Sequence, residues 1–197
     1  MKTIKLVAFT FLLAVATSCV KENPSPTVLV VHCLDGSGNV APGVEVDLFN
    51  NSSDFSNNIN AAFIGTTDVN GTVTFTGVNS QSYFFSCLDQ NNCLTNWNSF
   101  QTNVLPANQT SSINAIITGY GTLLINNTSP GKNPYLIKVN GQVWVSELDY
   151  GQTTKDVLPV GTCTVEAIQI SGYVNTPTDV TYAPIISQCQ VTTQAIP

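Results

Sequence analysis

The feature that most narrows the fold is a rhythm. From Thr27 onward, short runs rich in Val, Ile, Thr, Phe and Tyr are separated by turns of Gly, Asn, Asp or Pro. Such runs form half-buried strands, because alternate side chains point to opposite faces. The pattern predicts strands over 28–33, 44–50, 62–67, 72–76, 82–88 and 111–117. In the second half it predicts 121–126, 135–139, 142–146, 153–157, 162–170, 181–185 and 189–193. No convincing helical period of ten residues falls between them. Short strands at this spacing make an all-β chain of sandwiches. A faint internal repeat aligns Val78 to Cys87 with Leu158 to Ala167, setting Tyr83 against Cys163, and favours two related sandwiches over one large barrel.

Composition then removes whole classes. With 197 residues, 43% hydrophobic and 9% charged, the chain is neither a disordered acidic tail nor a coiled coil. Six lysines, no arginine and twelve acids leave no basic patch to neutralise phosphates, so nucleic acid is not an expected partner. Asn, Thr, Ser and Gln cover the surface instead, which suits an exported protein.

The N terminus reads as an address. Lys2 and Lys5 precede an almost unbroken apolar run over 6–16, which ends in Ala16-Thr17-Ser18-Cys19. This is the pattern of an export signal, and it is shorter than the ~20 residues that span a bilayer. A cysteine directly after small residues resembles the lipobox of bacterial lipoproteins, although Ala16 stands where that family more often has leucine. The resemblance implies cleavage before Cys19 and acyl chains on its sulfur and new amino group. The expected organisation is a lipoprotein signal peptide over 1–18, a lipidated N terminus and tether over 19–26, and sandwiches over 27–117 and 118–197. Pro24 and Pro26 keep the tether extended. Each buried methylene of the lipid contributes about 0.8 kcal/mol, so more than one acyl chain gives stable attachment. After Cys19 only Lys21, Lys132, Lys138 and Lys155 face all twelve acids, so membrane contact is expected through lipid and not through a polybasic face. The expected location is the bacterial cell envelope, at the outer membrane and exposed on the surface.

The first sandwich carries the most specific motifs: Asp35-Gly36-Ser37-Gly38, Pro42-Gly43-Val44-Glu45-Val46-Asp47-Leu48, and Thr67-Asp68-Val69-Asn70-Gly71-Thr72-Val73-Thr74-Phe75. Over about 27–90 they resemble the carboxypeptidase-regulatory-like and Cna-B-like modules, which implies a prealbumin-type, Ig-like sandwich. Gly43 and Gly71 are expected to serve the backbone. The second half carries Asn133-Pro134-Tyr135, Val139-Asn140-Gly141, Pro159-Val160-Gly161-Thr162, Ser171-Gly172-Tyr173 and Pro177-Thr178-Asp179. It resembles the C-terminal module of two-module surface lipoproteins of the Bacteroidetes, a likeness that brings no activity. Asn140-Gly141 between alternating runs is the strongest hairpin signal in the chain.

With Cys19 lipidated, Cys33, Cys87, Cys93, Cys163 and Cys189 remain, an odd number in a compartment that permits disulfides. A Cys163–Cys189 bridge is expected within the second sandwich, closing a loop of about 27 residues and stabilising by ~2–4 kcal/mol. If Leu29, Val31 and Cys33 face inward with Tyr83, Phe85 and Cys87, a Cys33–Cys87 bridge crosses the first core, with Cys93 as competitor.

No constellation for catalysis appears. His32 is the single histidine and has no nucleophile motif nearby, and the spaced acids Glu45 with Asp47 and Glu147 with Asp149 fall on expected wet faces. No metal or cofactor is expected: the turns at Asp35 and Asp68 lack the acids calcium needs, and no C-x-x-C pair suits zinc. The Lys-to-Asn isopeptide weld of some Cna-B-like modules has no lysine in the first sandwich. In the second, Lys138 lies on an expected strand with Asn partners and Glu166 as the candidate acid, but reads as an exposed ammonium. Trp97, in an Asn-rich loop, is the candidate ligand contact, with Trp144, Tyr120 and Tyr150 as further aromatic candidates. The expected function is a non-enzymatic binding or spacer module of the envelope. The alternative is a carbohydrate-binding accessory lipoprotein, so the partners in view are a glycan or a cell-surface protein.

Overall fold

The computed structural model describes residues 25–97 and 100–197. The expected signal peptide over 1–18, Cys19 and residues 20–24 of the expected tether lie outside the described residues. The first half contains β1 (Val28–Asp35), β2 (Glu45–Phe49), α1 (Ser52–Asn57), β3 (Phe63–Thr66), β4 (Thr72–Thr76), β5 (Phe84–Asp89) and β6 (Leu94–Thr95). Strand β7 (Thr110–Asn127) leads into β8 (Tyr135–Val139), β9 (Gln142–Leu148), β10 (Thr153–Pro159) and β11 (Gly161–Thr162). The chain closes with β12 (Val165–Gln169), β13 (Asp179–Tyr182), β14 (Ile185–Ile186) and β15 (Val191–Ile196).

Alternation in the sequence becomes two separate cores. In the first, β4-β1-β7 packs on β3-β2-β5, enclosing Leu29, Val31, Val46, Leu48, Phe75, Phe85, Ala115 and Ile117. In the second, β10-β7-β15 packs on β13-β12-β8-β9, enclosing Leu123, Ile125, Tyr135, Ile137, Val165, Ala167 and Ile196. Each such aliphatic or aromatic side chain, fully buried, contributes about 1.5–3 kcal/mol, and this apolar area is what holds each pair of sheets together. Tyr83 and Cys163, which the internal repeat aligns, are both buried just before a central strand.

The turns follow the sequence closely. Asn140 and Gly141 both have positive φ and close the two-residue hairpin between β8 and β9, pairing Val139 with Gln142. At Gly71, φ is +70°, and a Cβ there would lie 2.8 Å from the Cys33 carbonyl oxygen, so both conformation and space exclude a side chain. Asp68 sets that turn by accepting the N–H groups of Asn70 (2.9 Å) and Thr72 (3.0 Å). Asp35 does the same for Ser37 (2.8 Å) and Asn39 (2.9 Å). These bonds hold both carboxyls below their ordinary range, in Asp35 chiefly through the Asn39 side chain and in Asp68 chiefly through the Thr72 N–H.

Several elements depart from expectation: the strands expected over 162–170 and 181–185 each divide, into β11 with β12 and β13 with β14, and β6 and α1 are additional. The short helix α1 forms because Asn51 caps it, its Oδ1 accepting the Asp54 N–H at 2.9 Å. Its Phe55 packs on Phe49, Phe84 and Phe100 on the outside of the first sandwich. The larger difference is β7. The sequence pattern breaks at Gly119-Tyr120-Gly121, yet one strand of 18 residues runs through this point. It keeps the same parity throughout, burying Ala115 and Ile117 in the first core and Leu123 and Ile125 in the second. At ~3.3 Å per residue the strand is roughly 60 Å long.

Candidate functional site

The junction between the sandwiches is a change of partners along β7. On one edge β6 pairs as far as Gly119 and β15 takes over at Thr122. On the other edge β1 pairs as far as Ile117 and β10 takes over at Tyr120. The two glycines are there for space. A Cβ on Gly119 would come within 2.9 Å of both Val160 Cγ2 and Gln188 Oε1, and one on Gly121 would collide with the Ser187 carbonyl oxygen. The turn from β14 to β15 therefore presses directly onto the β7 backbone.

That close approach lets a covalent bond form across the junction. Cys93 and Cys189 make a disulfide with a Cα–Cα distance of 5.4 Å over a sequence separation of 96. Both reach the same β7 residue: the Tyr120 N–H donates to the Cys93 carbonyl and the Cys189 N–H donates to the Tyr120 carbonyl, each at 2.9 Å. The Gln188 side-chain amide adds a bond to the Asn92 carbonyl at 2.6 Å.

This corrects the expected cysteine pairing. Cys163 points into the second core as a free thiol, whereas Cys189 lies in an exposed turn, so the two do not meet. Cys33 and Cys87 are inward-facing, as the alternation predicts, but both are free and fully buried in the first core. The Cys33 hydrogen bond and then burial push the Cys87 thiol far above its ordinary range, and burial raises Cys163. Cys93, read as a competitor for Cys33 or Cys87, takes the one partner the sequence pattern had assigned elsewhere. Pairing across two domains has no periodic signal. The clue is that Cys93 and Cys189 both sit in turn segments.

At the far end of β7, away from Thr27, loops 128–134, 149–152 and 170–178 gather with the end of β15. Two buried amides organise them. Asn127, 1% exposed, donates from Nδ2 to the carbonyls of Asn133 and Leu148, both at 2.8 Å, and its Oδ1 accepts the Ser129 N–H at 3.0 Å. Gln169 donates from Nε2 to the Ser171 carbonyl at 2.8 Å and accepts the Thr178 N–H at 3.2 Å. With the loops fixed this way, the tip presents Tyr150 at 49%, Tyr173 at 47% and Val174 at 96% exposure. Lys132 Nζ lies 5.8 Å from the Tyr150 ring centroid, a cation–π contact worth about 0.5–1 kcal/mol when exposed. Rigid, amphipathic rings on fixed loops lose little entropy on binding, which makes this end a candidate contact surface.

The other sequence candidates lie apart from it. Trp97 is half-buried and its indole N–H is out of solvent with no partner, so its polar edge is not offered to a ligand. Trp144 packs against the second core. His32 Nδ1 lies 3.0 Å from Thr72 Oγ1 on the outside of the first sandwich. Glu45 and Asp47 share the outer face of β2, where burial and then the Glu45 charge raise the Asp47 pKa. Glu147 is exposed on β9, and Asp149 stands in the tip turn. Lys138 pairs with Glu166 across strands at 2.9 Å, each side chain about 30% exposed, an interaction of under ~1 kcal/mol. A shallow polar cleft of about 190 Å³ is lined by Gly43, Glu45, Leu88, Asp89, Gln90 and Asn91. It is smaller than typical ligand pockets of ~300–1,000 Å³, and the Asp89 carboxylate is engaged by Asn92. Among the described residues no three His, Cys, Asp or Glu side chains converge on a point that could hold a metal, and no helix is long and apolar enough to cross a membrane.

No protein-family model matches this sequence, and no curated protein matches it. Solved structures show weak likeness. The Bacillus anthracis TIE protein aligns with a TM-score of 0.40 and 18% identity, over 87% of this chain and 34% of its own. A streptococcal ancillary pilin gives 0.38 and 14%, over 86% of this chain and 62% of its own. The shaft pilin SpaA from Lactobacillus rhamnosus GG gives 0.37 and 11%, over 87% and 98%. This chain thus spans about a third of the length of the first and under two thirds of the second. Likeness at this level bears on neither activity nor partner.

Proposed function

We propose that this chain is a non-catalytic, lipid-anchored module of the bacterial cell envelope that holds a contact surface at a fixed distance from the membrane. The observation that carries this reading is the placement of the two ends of β7. Val28 pairs with Thr110 at its start, so a tether preceding Thr27 leaves from one end, while the Tyr150 and Tyr173 loops gather at the other, roughly 60 Å away. The partner surface is the tip, and the sandwiches between are the spacer. The Ala16-Thr17-Ser18-Cys19 motif supplies the anchor, and the likeness to two-module Bacteroidetes lipoproteins favours the outer membrane and surface display. The carbohydrate-binding alternative rests, on this geometry, on Tyr150 and Tyr173 and not on Trp97.

The test is the intact mass of the protein extracted from envelope membranes, beside a Cys19→Ala variant. The expected species begins at Cys19 and carries acyl chains that the variant lacks. Cleavage elsewhere without lipid would replace the anchored spacer with a diffusing protein.

A further inference from the structure

We infer that β1, β10 and β15 grip β7 as a shear clamp that carries pulling force between tether and tip. The inference rests on the proposed placement of anchor and contact surface. It follows from strand direction. β1 lies parallel to β7 in unbroken register, from Val28 opposite Thr110 to Asp35 opposite Ile117. A pull on the tether draws β1 toward its own N terminus, and a pull at the tip draws β7 toward its C terminus. The two strands are then driven past each other along their axes. Hydrogen bonds in such a ladder stretch together, whereas strands pulled apart from one end lose them singly.

The second sandwich repeats the geometry. β15 is parallel to β7, from Val191 opposite Thr122 to Ile196 opposite Asn127, and it ends at the tip. β10 is antiparallel and begins at the tip, with Thr153 opposite Asn126. Force applied at Tyr150 or at the C terminus therefore also runs along a strand axis. When the loop over 128–134, the loop over 149–152 or the C terminus is held, β7 or one of its partners is loaded along its axis.

Two details remove slack from this path. Thr27, where the tether enters, is buried: its hydroxyl accepts the Asn108 N–H, its carbonyl accepts the Gly77 N–H, and the next N–H, of Val28, donates to the Gln109 carbonyl, each at 2.9 Å. At the junction, the Cys93–Cys189 bond splices β6 to β15 where one replaces the other on the same edge of β7. Load from the tip thus reaches the second sheet of the first sandwich, through β6 and β5, as well as β7 itself.

Single-molecule force spectroscopy on the full chain tests this with two pairs of handles. Handles at Ser25 and Pro197 pull from tether to tip. Handles at Ser25 and Ala107 pull two neighbouring positions at the same end and peel β1 from β7. At equal pulling speed, the tether-to-tip geometry is expected to need several-fold more force, because forced unfolding reads the unfolding barrier along the pulled direction. Equal forces, or a weaker tether-to-tip geometry, would overturn the clamp. Both measurements use protein free of membrane. An unlipidated Cys19 would therefore leave the force result standing, and equal forces would leave the anchor standing.

Discussion

Single residues decide where this molecule tolerates charge and where it holds reactive sulfur. Asp47 is a carboxylate on a half-buried face with Glu45 beside it, and one of its oxygens is buried without a partner. Its pKa is raised by burial first and by Glu45 second, so its charged form costs stability at neutral pH, and the cost fades as pH falls through the folded-state value. Asp47→Asn is therefore expected to raise the urea midpoint at pH 7 and to lose that advantage below the ordinary carboxylate range. Asp35 and Asp68 have the opposite sign: their lowered pKa values support the fold above that range, and the support disappears as pH falls through them. The thiols make a second prediction. Cys33, Cys87 and Cys163 are free and buried, so the folded protein should resist alkylation and the denatured, unreduced protein should show these three as reactive, with Cys93 and Cys189 protected. Finding Cys163 bridged to Cys189 in a peptide map would contradict the junction described above.

At the scale of elements, the strands were largely legible and the joints were not. Period-two alternation located β1, β4 and β8 within a residue or two, because each buries every second side chain in a core; β9 was placed as closely, although a register shift against β8 breaks its alternation. The pattern failed at Gly119-Tyr120-Gly121 because glycine normally marks a turn, and here it marks the place where another segment lies against the strand. It missed α1, whose six residues are too few for a helical period and depend on the Asn51 cap. The candidate site was only half legible. Tyr150 stands out as an aromatic residue, but its grouping with Tyr173 depends on Asn127 and Gln169, whose burial no local pattern foretells. These buried amides are the structural part of the tip. Asn127→Ala removes the donor to one buried and one part-buried carbonyl and should cost about 1–3 kcal/mol in chemical denaturation. Tyr173→Ala should stay within ~0.5 kcal/mol and Tyr150→Ala, which also loses the Lys132 contact, within ~1 kcal/mol, as expected for exposed side chains outside a core.

For the whole molecule, the sandwiches have separate cores and would ordinarily move as separate domains. A single strand through both, two changes of edge partner and a disulfide at the crossing oppose that motion. This rigidity is the central claim, since a spacer that bends freely fixes neither the distance nor the orientation of its tip. Residual dipolar couplings of backbone amides in the oxidised protein test it most directly. One alignment tensor should fit the amides of residues 28–117 and 122–196 together, and the fit should separate into two tensors when Cys93 and Cys189 are reduced or replaced. Two different tensors in the oxidised protein would show that the domains reorient independently, and the account of a rigid spacer would fail.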